Sequence, residues 1–248
     1  MKKYIYKFSL LTLAIFAFAS CNVDDDDPIV VDAARSLTAS SVEQSATIPV
    51  ANDATSYDLV VNFSQALPSL SSIEYTYDGE TRAATANSGA TSVTIPVTFG
   101  LTDAFHDVVL VDFIMVNATG LGYLPTIDGA TSFKVMKEGA VISTLTWEGS
   151  ADLDFDFDVM TATWGWAFIT LDAAAGTGNS ETVSAVVDNG NYAFWIWTNG
   201  APADYPYTIT VTTVSGTESF NGTVTGNSWN LWFTKSGTTF TFFEEDPS

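Results

Sequence analysis

The stretch "WEGSADLDFDFDVM", residues 147 to 160, alternates without interruption. Asp152, Asp154, Asp156 and Asp158 fall on one side of it, and Leu153, Phe155, Phe157 and Val159 on the other. A strand sends successive side chains to opposite faces, whereas a helix would scatter both sets around its axis. The stretch therefore predicts a β-strand with its apolar face on a core and its acids toward water. No segment after residue 20 carries sustained helical spacing of apolar residues. Aromatics reach 13% while charged residues are held to 15%, a composition suited to many short strands. A chain of 248 residues accommodates two domains of about 100 to 120 residues, each able to bury its own core.

The segment 33–138 supplies apolar or alternating runs bounded by turn residues: "SATIPVA", "SYDLVVNF", "IEYTYD", "SVTIPVTF", "VVLVDFIMV" and "TSFKVM". Their spacing predicts a sandwich of about seven strands. Asp78-Gly79 predicts a hairpin, because both residues tolerate the positive φ such turns require. Pro49 and Pro96 lie inside repeated "TIPV" runs and predict edge strands or bulges, since proline cannot donate to a sheet ladder. The order of these runs resembles a Calx-β-type sandwich. The resemblance implies the fold; the acidic cluster that family uses for calcium is lacking, with only Asp103, Asp107 and Asp112 around the late strands.

"MKEGAVIST" breaks the pattern, and a second unit is expected over 144–246. It holds all seven tryptophans. If Phe194 and Ile196 face the core, then Trp195 and Trp197 face outward, where coplanar indoles would suit the flat C–H faces of sugars. Trp164 and Trp166 read more readily as core. Residues 152 to 213 resemble a bacterial pre-peptidase C-terminal domain: Asp152-Leu153-Asp154-Phe155, then Glu181, then Gly190-Asn191-Tyr192, then "YPYTITV". That resemblance implies a non-catalytic accessory module. The expected fold is thus all-β, two β-sandwich domains (Ig-like or jelly-roll-like) in tandem.

Calcium is the one cofactor the acids suggest. Same-face neighbours on a strand stand about 6.7 Å apart, whereas calcium collects six to eight oxygens at about 2.3–2.6 Å. Asp152, Asp154, Asp156 and Asp158 could then give two ligands comfortably, with Asp172, Glu181, Asp188 or Asn189 completing the shell. A solvated acidic strand is the simpler reading of the same residues.

Residues 1–20 join a basic start (Lys2, Lys3, Lys7) to an apolar run and the small pair Ala19-Ser20, the anatomy of a secretory signal. The run is too short to span a hydrocarbon core of about 30 Å. "FASC" resembles the lipobox of bacterial lipoproteins, with Phe18 where that motif prefers Leu, and implies that Cys21 is acylated. The aspartates 24 to 27 resemble the export signal of Bacteroidota-type surface lipoproteins. Residues 21–32 then form an acidic tether on the outer membrane, facing the cell exterior and reaching roughly 35 Å from the lipid.

Removing residues 1–20 leaves 5 basic and 29 acidic residues, a net charge of −24. Such a field repels phosphate backbones and excludes nucleic acid as a partner. With one histidine, His106, and no cysteine after Cys21, the residue set speaks against zinc or iron. His106 reads as a surface or turn residue. Carboxylates alone can build a glycosidase, but no catalytic residue is assigned. The expected function is a non-catalytic surface lipoprotein in binding or adhesion; the alternative is a glycan-binding accessory protein of a polysaccharide-uptake system, with glycan or surface proteins as partners. Replacing Cys21 by Ser is predicted to leave the precursor uncleaved and out of the membrane fraction; maturation and membrane partitioning of that variant would contradict lipid attachment.

Overall fold

The computed structural model describes residues 35–160, 168–176, 178–199, 204–245 and 247. Cys21, Trp164 and Trp166 lie outside the described residues. Nine strands form the first sandwich: β1 (Ser36–Ser41), β2 (Thr47–Val50), β3 (Ser56–Phe63), β4 (Ser71–Tyr77), β5 (Glu80–Ala86), β6 (Ser92–Thr98), β7 (Phe105–Met115), β8 (Leu124–Asp128) and β9 (Ser132–Lys137). A single turn of helix, α1 (Ala118–Leu121), leads into β8. One sheet has the order β6-β3-β1-β8 and the other β2-β9-β7-β4-β5. The two additional strands beyond the expected seven include β5, whose run "ETRAATA" is exposed over its first half and therefore lacks an alternating apolar signal.

Local chemistry fixes these strands. Pro49 sits in β2 and Pro96 in β6, both at sheet edges, where no partner needs the missing N–H. Asp78 and Gly79 adopt φ of 49° and 84°, and the resulting two-residue turn sets Tyr77 opposite Glu80. Between the sheets lie Leu37, Leu59, Val61, Ile73, Phe113 and Phe133, all buried.

The second sandwich contains β10 (Ala140–Trp147), β11 (Asp154–Met160), β12 (Phe168–Ala174), β13 (Ser180–Val186), β14 (Gly190–Trp197), β15 (Tyr205–Thr213), β16 (Gly216–Val224), β17 (Ser228–Ser236) and β18 (Thr239–Phe243). Its sheets are ordered β13-β10-β15-β16 and β12-β11-β14-β17-β18. β10 starts at Ala140, ahead of position 144, because Ala140 and Val141 are already fully buried. Only Glu138 and Gly139 separate it from β9. Gly139 is needed there for close approach: a Cβ would stand 2.1 Å from the Val187 carbonyl oxygen.

An aromatic seam fills the second core. Phe155 stacks on Phe194 at 5.3 Å, Phe157 meets Phe194 at 4.8 Å, and Tyr192 stacks on Phe233 at 5.1 Å. Leu153, Phe155, Phe157, Phe194, Ile196 and Phe233 are fully buried. Truncating Phe157 to Ala removes the ring at the centre of this seam and is predicted to cost about 3–5 kcal/mol of stability. Chemical denaturation followed by tryptophan fluorescence reads this sandwich selectively, since every tryptophan among the described residues lies in it. A loss below about 1 kcal/mol would contradict the packing described.

Candidate functional site

The aromatic seam dictates what the outer face of the five-stranded sheet displays. With Phe155 and Phe157 inward on β11, and Tyr192, Phe194 and Ile196 inward on β14, the pleat turns Asp154, Asp156, Trp195 and Trp197 outward. Strand register places Asp154 opposite Trp197 and Asp156 opposite Trp195. Trp197 is 38% exposed and Trp195 half-buried. Their rings are 5.6 Å apart with planes at 57°. The pair, two residues apart on one strand, therefore forms an open V and not the coplanar platform expected from the sequence.

Hydrogen bonds hold this face in place. Trp197 Nε1 donates to Asp156 Oδ2 at 2.6 Å, and Asn199 Nδ2 donates to Asp154 Oδ2 at 2.9 Å. Asn199 is aimed there by a left-handed backbone, φ 45°, directly after Thr198, whose N–H and hydroxyl both bind Asn227 Oδ1. Among the described residues, neither aspartate makes a hydrogen bond through Oδ1, so an exposed indole stands beside two acceptor oxygens.

The four acids do not share one fate. Asp152 is exposed and Asp154 and Asp156 are half-buried, but Asp158 is 1% exposed and accepts a hydrogen bond from Thr170 Oγ1 at 2.8 Å. The expectation that Asp158 faces water fails because the outer face is itself apolar at that end. There Met160, Ala193 and Trp232 form a small buried cluster with Phe243 against it. A bulge opposite Phe157 and Asp158 shifts β12 by one residue and brings Thr170 alongside. Among the described residues, no three carboxylate or imidazole groups converge as a formed metal shell. The strand Asp152, Asp154, Asp156, Asp158 thus does not act as a unit.

Of the other acids and amides proposed to join it, Asp172 Oδ2 accepts from the Ser184 N–H at 2.7 Å and protects the edge of β13. Asn189 Oδ1 accepts from the Gly237 N–H, and Asp188 Oδ1 from Asn52. Glu181 differs. It shares the inward face of β13 with Val183, opposite the core residue Leu145, and is 6% exposed. Both carboxylate oxygens are buried without a hydrogen-bond partner; the Gly176 and Phe155 peptide groups approach without completing a bond of good geometry. Burial pushes this carboxyl from 4.5 up to about 7, and the nearby Asp154 and Asp152 charges raise it further, against a partial lowering by those peptide groups. A folded-state value above the ordinary one favours folding fully below pH 4.5, and that contribution is lost as the pH climbs through 7. The signal for Glu181 was in the sequence: in "SETVSAV" the glutamate has the same parity as Val183.

His106 corrects a second expectation. It is 8% exposed within β7, with Nδ1 2.6 Å from Asp78 Oδ2 and Nε2 3.2 Å from Asp103 Oδ2. Its ring stacks on Tyr77 at 5.0 Å and packs against Phe99 at 4.8 Å. The residue is a packed cross-link and not a surface or turn histidine, because alternation along β7 puts it on the same face as Val108 and Leu110.

No family model matches the chain, and no curated protein matches it. Among solved structures, similarity is found to the crystal structure of CBD12 from CALX1.2, with 7% identity, a TM-score of 0.29, and coverage of 64% of this chain and 79% of that one. A crystal structure of the calcium binding domain CBD12 of CALX1.1 matches with 7% identity and a TM-score of 0.28, covering 67% and 79%. A likeness of that depth says nothing about what this chain binds.

Proposed function

We propose that this protein is a non-catalytic lipoprotein, held on the outer membrane through Cys21, that binds ligands at the cell exterior. Two features support the non-catalytic reading. The lone histidine is spent between Asp78 and Asp103 inside the first sandwich. The outward aspartates are engaged in orienting Trp197 and Asn199. The acidic field speaks for uncharged or cationic partners.

One observation favours a glycan as the ligand: the exposed indole of Trp197 is locked by Asp156, beside carboxylate oxygens that have no donor. A rigid aromatic face suits the C–H side of a sugar ring, and the free oxygens suit its hydroxyls. The V between Trp195 and Trp197 fits the rim of a ring better than a flat crystalline surface. In this reading the protein is a glycan-binding accessory to polysaccharide uptake, and the first sandwich, behind its acidic tether, carries the second away from the membrane.

The test is titration of the full chain with a panel of neutral polysaccharides, read by intrinsic tryptophan fluorescence. A saturable response is expected, and Trp197→Ala is predicted to weaken it by about 2 kcal/mol, roughly thirty-fold in Kd. A flat response across the panel would remove the glycan reading and leave surface proteins as the partners.

A further inference from the structure

Strand directions give the first sandwich two unlike ends. At one end Val50 of β2 opposes Lys137 of β9 and Phe105 of β7 opposes Met136, next to the connection into the second sandwich. At the other, Ser36 of β1 opposes Leu124 of β8, and Ser71 of β4 opposes Met115 of β7. The loop leaving β3 joins these strands: the Ser64 N–H donates to the Thr38 carbonyl at 2.9 Å, and the chain then runs directly into β4. The chain therefore enters the described fold at the end remote from that connection.

The two ends differ in charge and polarity. Segments 35–41, 62–72, 86–92 and 113–125 build the entry end, and in a chain of 29 acidic residues they contain no aspartate or glutamate. Arg35 is their one charged residue, and its guanidinium lies against Gly122, where a Cβ would collide with it. The far end carries Asp53, Asp78, Asp103 and Glu138. The entry end also displays large aliphatic side chains: Leu70, Ile114, Val116, Leu121 and Leu124 are each 40–55% exposed. Hydrogen bonds hold part of this surface in place. The Val116 N–H donates to the Leu70 carbonyl at 3.0 Å, Ser69 Oγ donates to the Val116 carbonyl at 2.8 Å, and the buried Leu67 pins the loop that carries Leu70.

Single exposed apolar residues are ordinary, but five at one acid-free end mark a contact surface. Where the chain leads says what meets it. Cys21 lies fourteen residues before Arg35, a span of at most about 46 Å when extended. A membrane holding Cys21 is thus always within reach, and this end, unlike the rest of so acidic a chain, meets lipid phosphate without repulsion. A second copy of the chain would bring the same acidic field to the contact. We propose that the entry end of the first sandwich rests on the lipid surface, with its aliphatic side chains at the headgroup–acyl boundary and Arg35 on a lipid phosphate. The inference rests on lipid attachment at Cys21, which keeps the surface at high effective concentration and makes a shallow contact sufficient. The contact orients the protein, turning the connection to the second sandwich away from the lipid.

The test uses residues 21–248 with Cys21→Ser and an N-terminal histidine tag, held on vesicles of phosphatidylcholine and a nickel-chelating lipid. The tag supplies a tether whether or not Cys21 is acylated in the cell, so failure of the contact is distinct from failure of lipid attachment, which the Cys21→Ser precursor reads. Since the chain has no other cysteine, a fluorophore on Val116→Cys or on Leu101→Cys reports one end alone. Leu101 is fully exposed at the far end, beside Gly100, whose carbonyl accepts from Lys137 Nζ at 3.3 Å. With bromine on the acyl chains, the label at 116 is expected to lose about half of its emission, as a group at the headgroup–acyl boundary would, and the label at 101 to lose little. Leu70→Asp combined with Leu124→Asp, both surface changes, is expected to restore emission at 116 with the melting temperature unchanged. Equal quenching at the two positions, or none at 116, would overturn the proposal. A change at 116 that needs no vesicles and grows with protein concentration would also overturn it, by assigning the face to a second copy.

Discussion

The packing of Phe155, Phe157, Phe194 and Phe233 is the contact on which the second sandwich depends. Once these rings are inside, the two-residue period of a strand leaves no freedom for their neighbours. Asp154, Asp156, Trp195 and Trp197 face outward because Phe155, Phe157, Phe194 and Ile196 cannot. The surface that presents an indole between carboxylates is thus a by-product of core formation, and its rigidity is inherited from buried rings. Cross-strand hydrogen bonds from Trp197 and Asn199 then convert a constraint on direction into a constraint on position.

A second contact joins the sandwiches. Asn52 Oδ1 accepts from the Gly139 N–H at 2.6 Å, and Asn52 Nδ2 reaches the Val187 carbonyl at 3.3 Å. Val187 in turn donates to the Gly139 carbonyl at 2.8 Å. Met136 from β9 and Ala140 from β10 are buried together beside Ala104. One side-chain amide of the first unit therefore binds the backbone of both the two-residue connection and the second unit. These bonds and buried side chains tie the two units together at their connection.

Much of this fold was legible because it rests on local rules. Alternation in "DLDFDFD" and "NYAFWIW" identified strands and their inward faces, the Asp78-Gly79 pair fixed a hairpin, and prolines at positions 49 and 96 marked edges. What the sequence concealed are the places where distant strands act together. Asp158 is buried by Met160, Ala193 and Trp232, which come from three strands, and a bulge supplies its Thr170 partner. His106 looked like a surface residue because its partners Asp78 and Asp103 lie on separate turns. Glu181 was offered as one of four ligands to complete a shell, and only burial and hydrogen bonding separate it from Asp172, Asp188 and Asn189, which are all engaged. The tilt between Trp195 and Trp197 is set by how the two side chains pack, which one-dimensional alternation does not encode.

The central claim is that ligands are met on the outer face of the five-stranded sheet of the second sandwich. Oxidative footprinting of the full chain, with mass-spectrometric readout of each tryptophan, tests it most directly when done with and without a saturating neutral polysaccharide. Trp197 is predicted to be oxidised readily in the free protein and protected in the complex, while the buried Trp147 stays unreactive in both. Unchanged labelling of Trp197, or protection confined to the first sandwich, would contradict the claim.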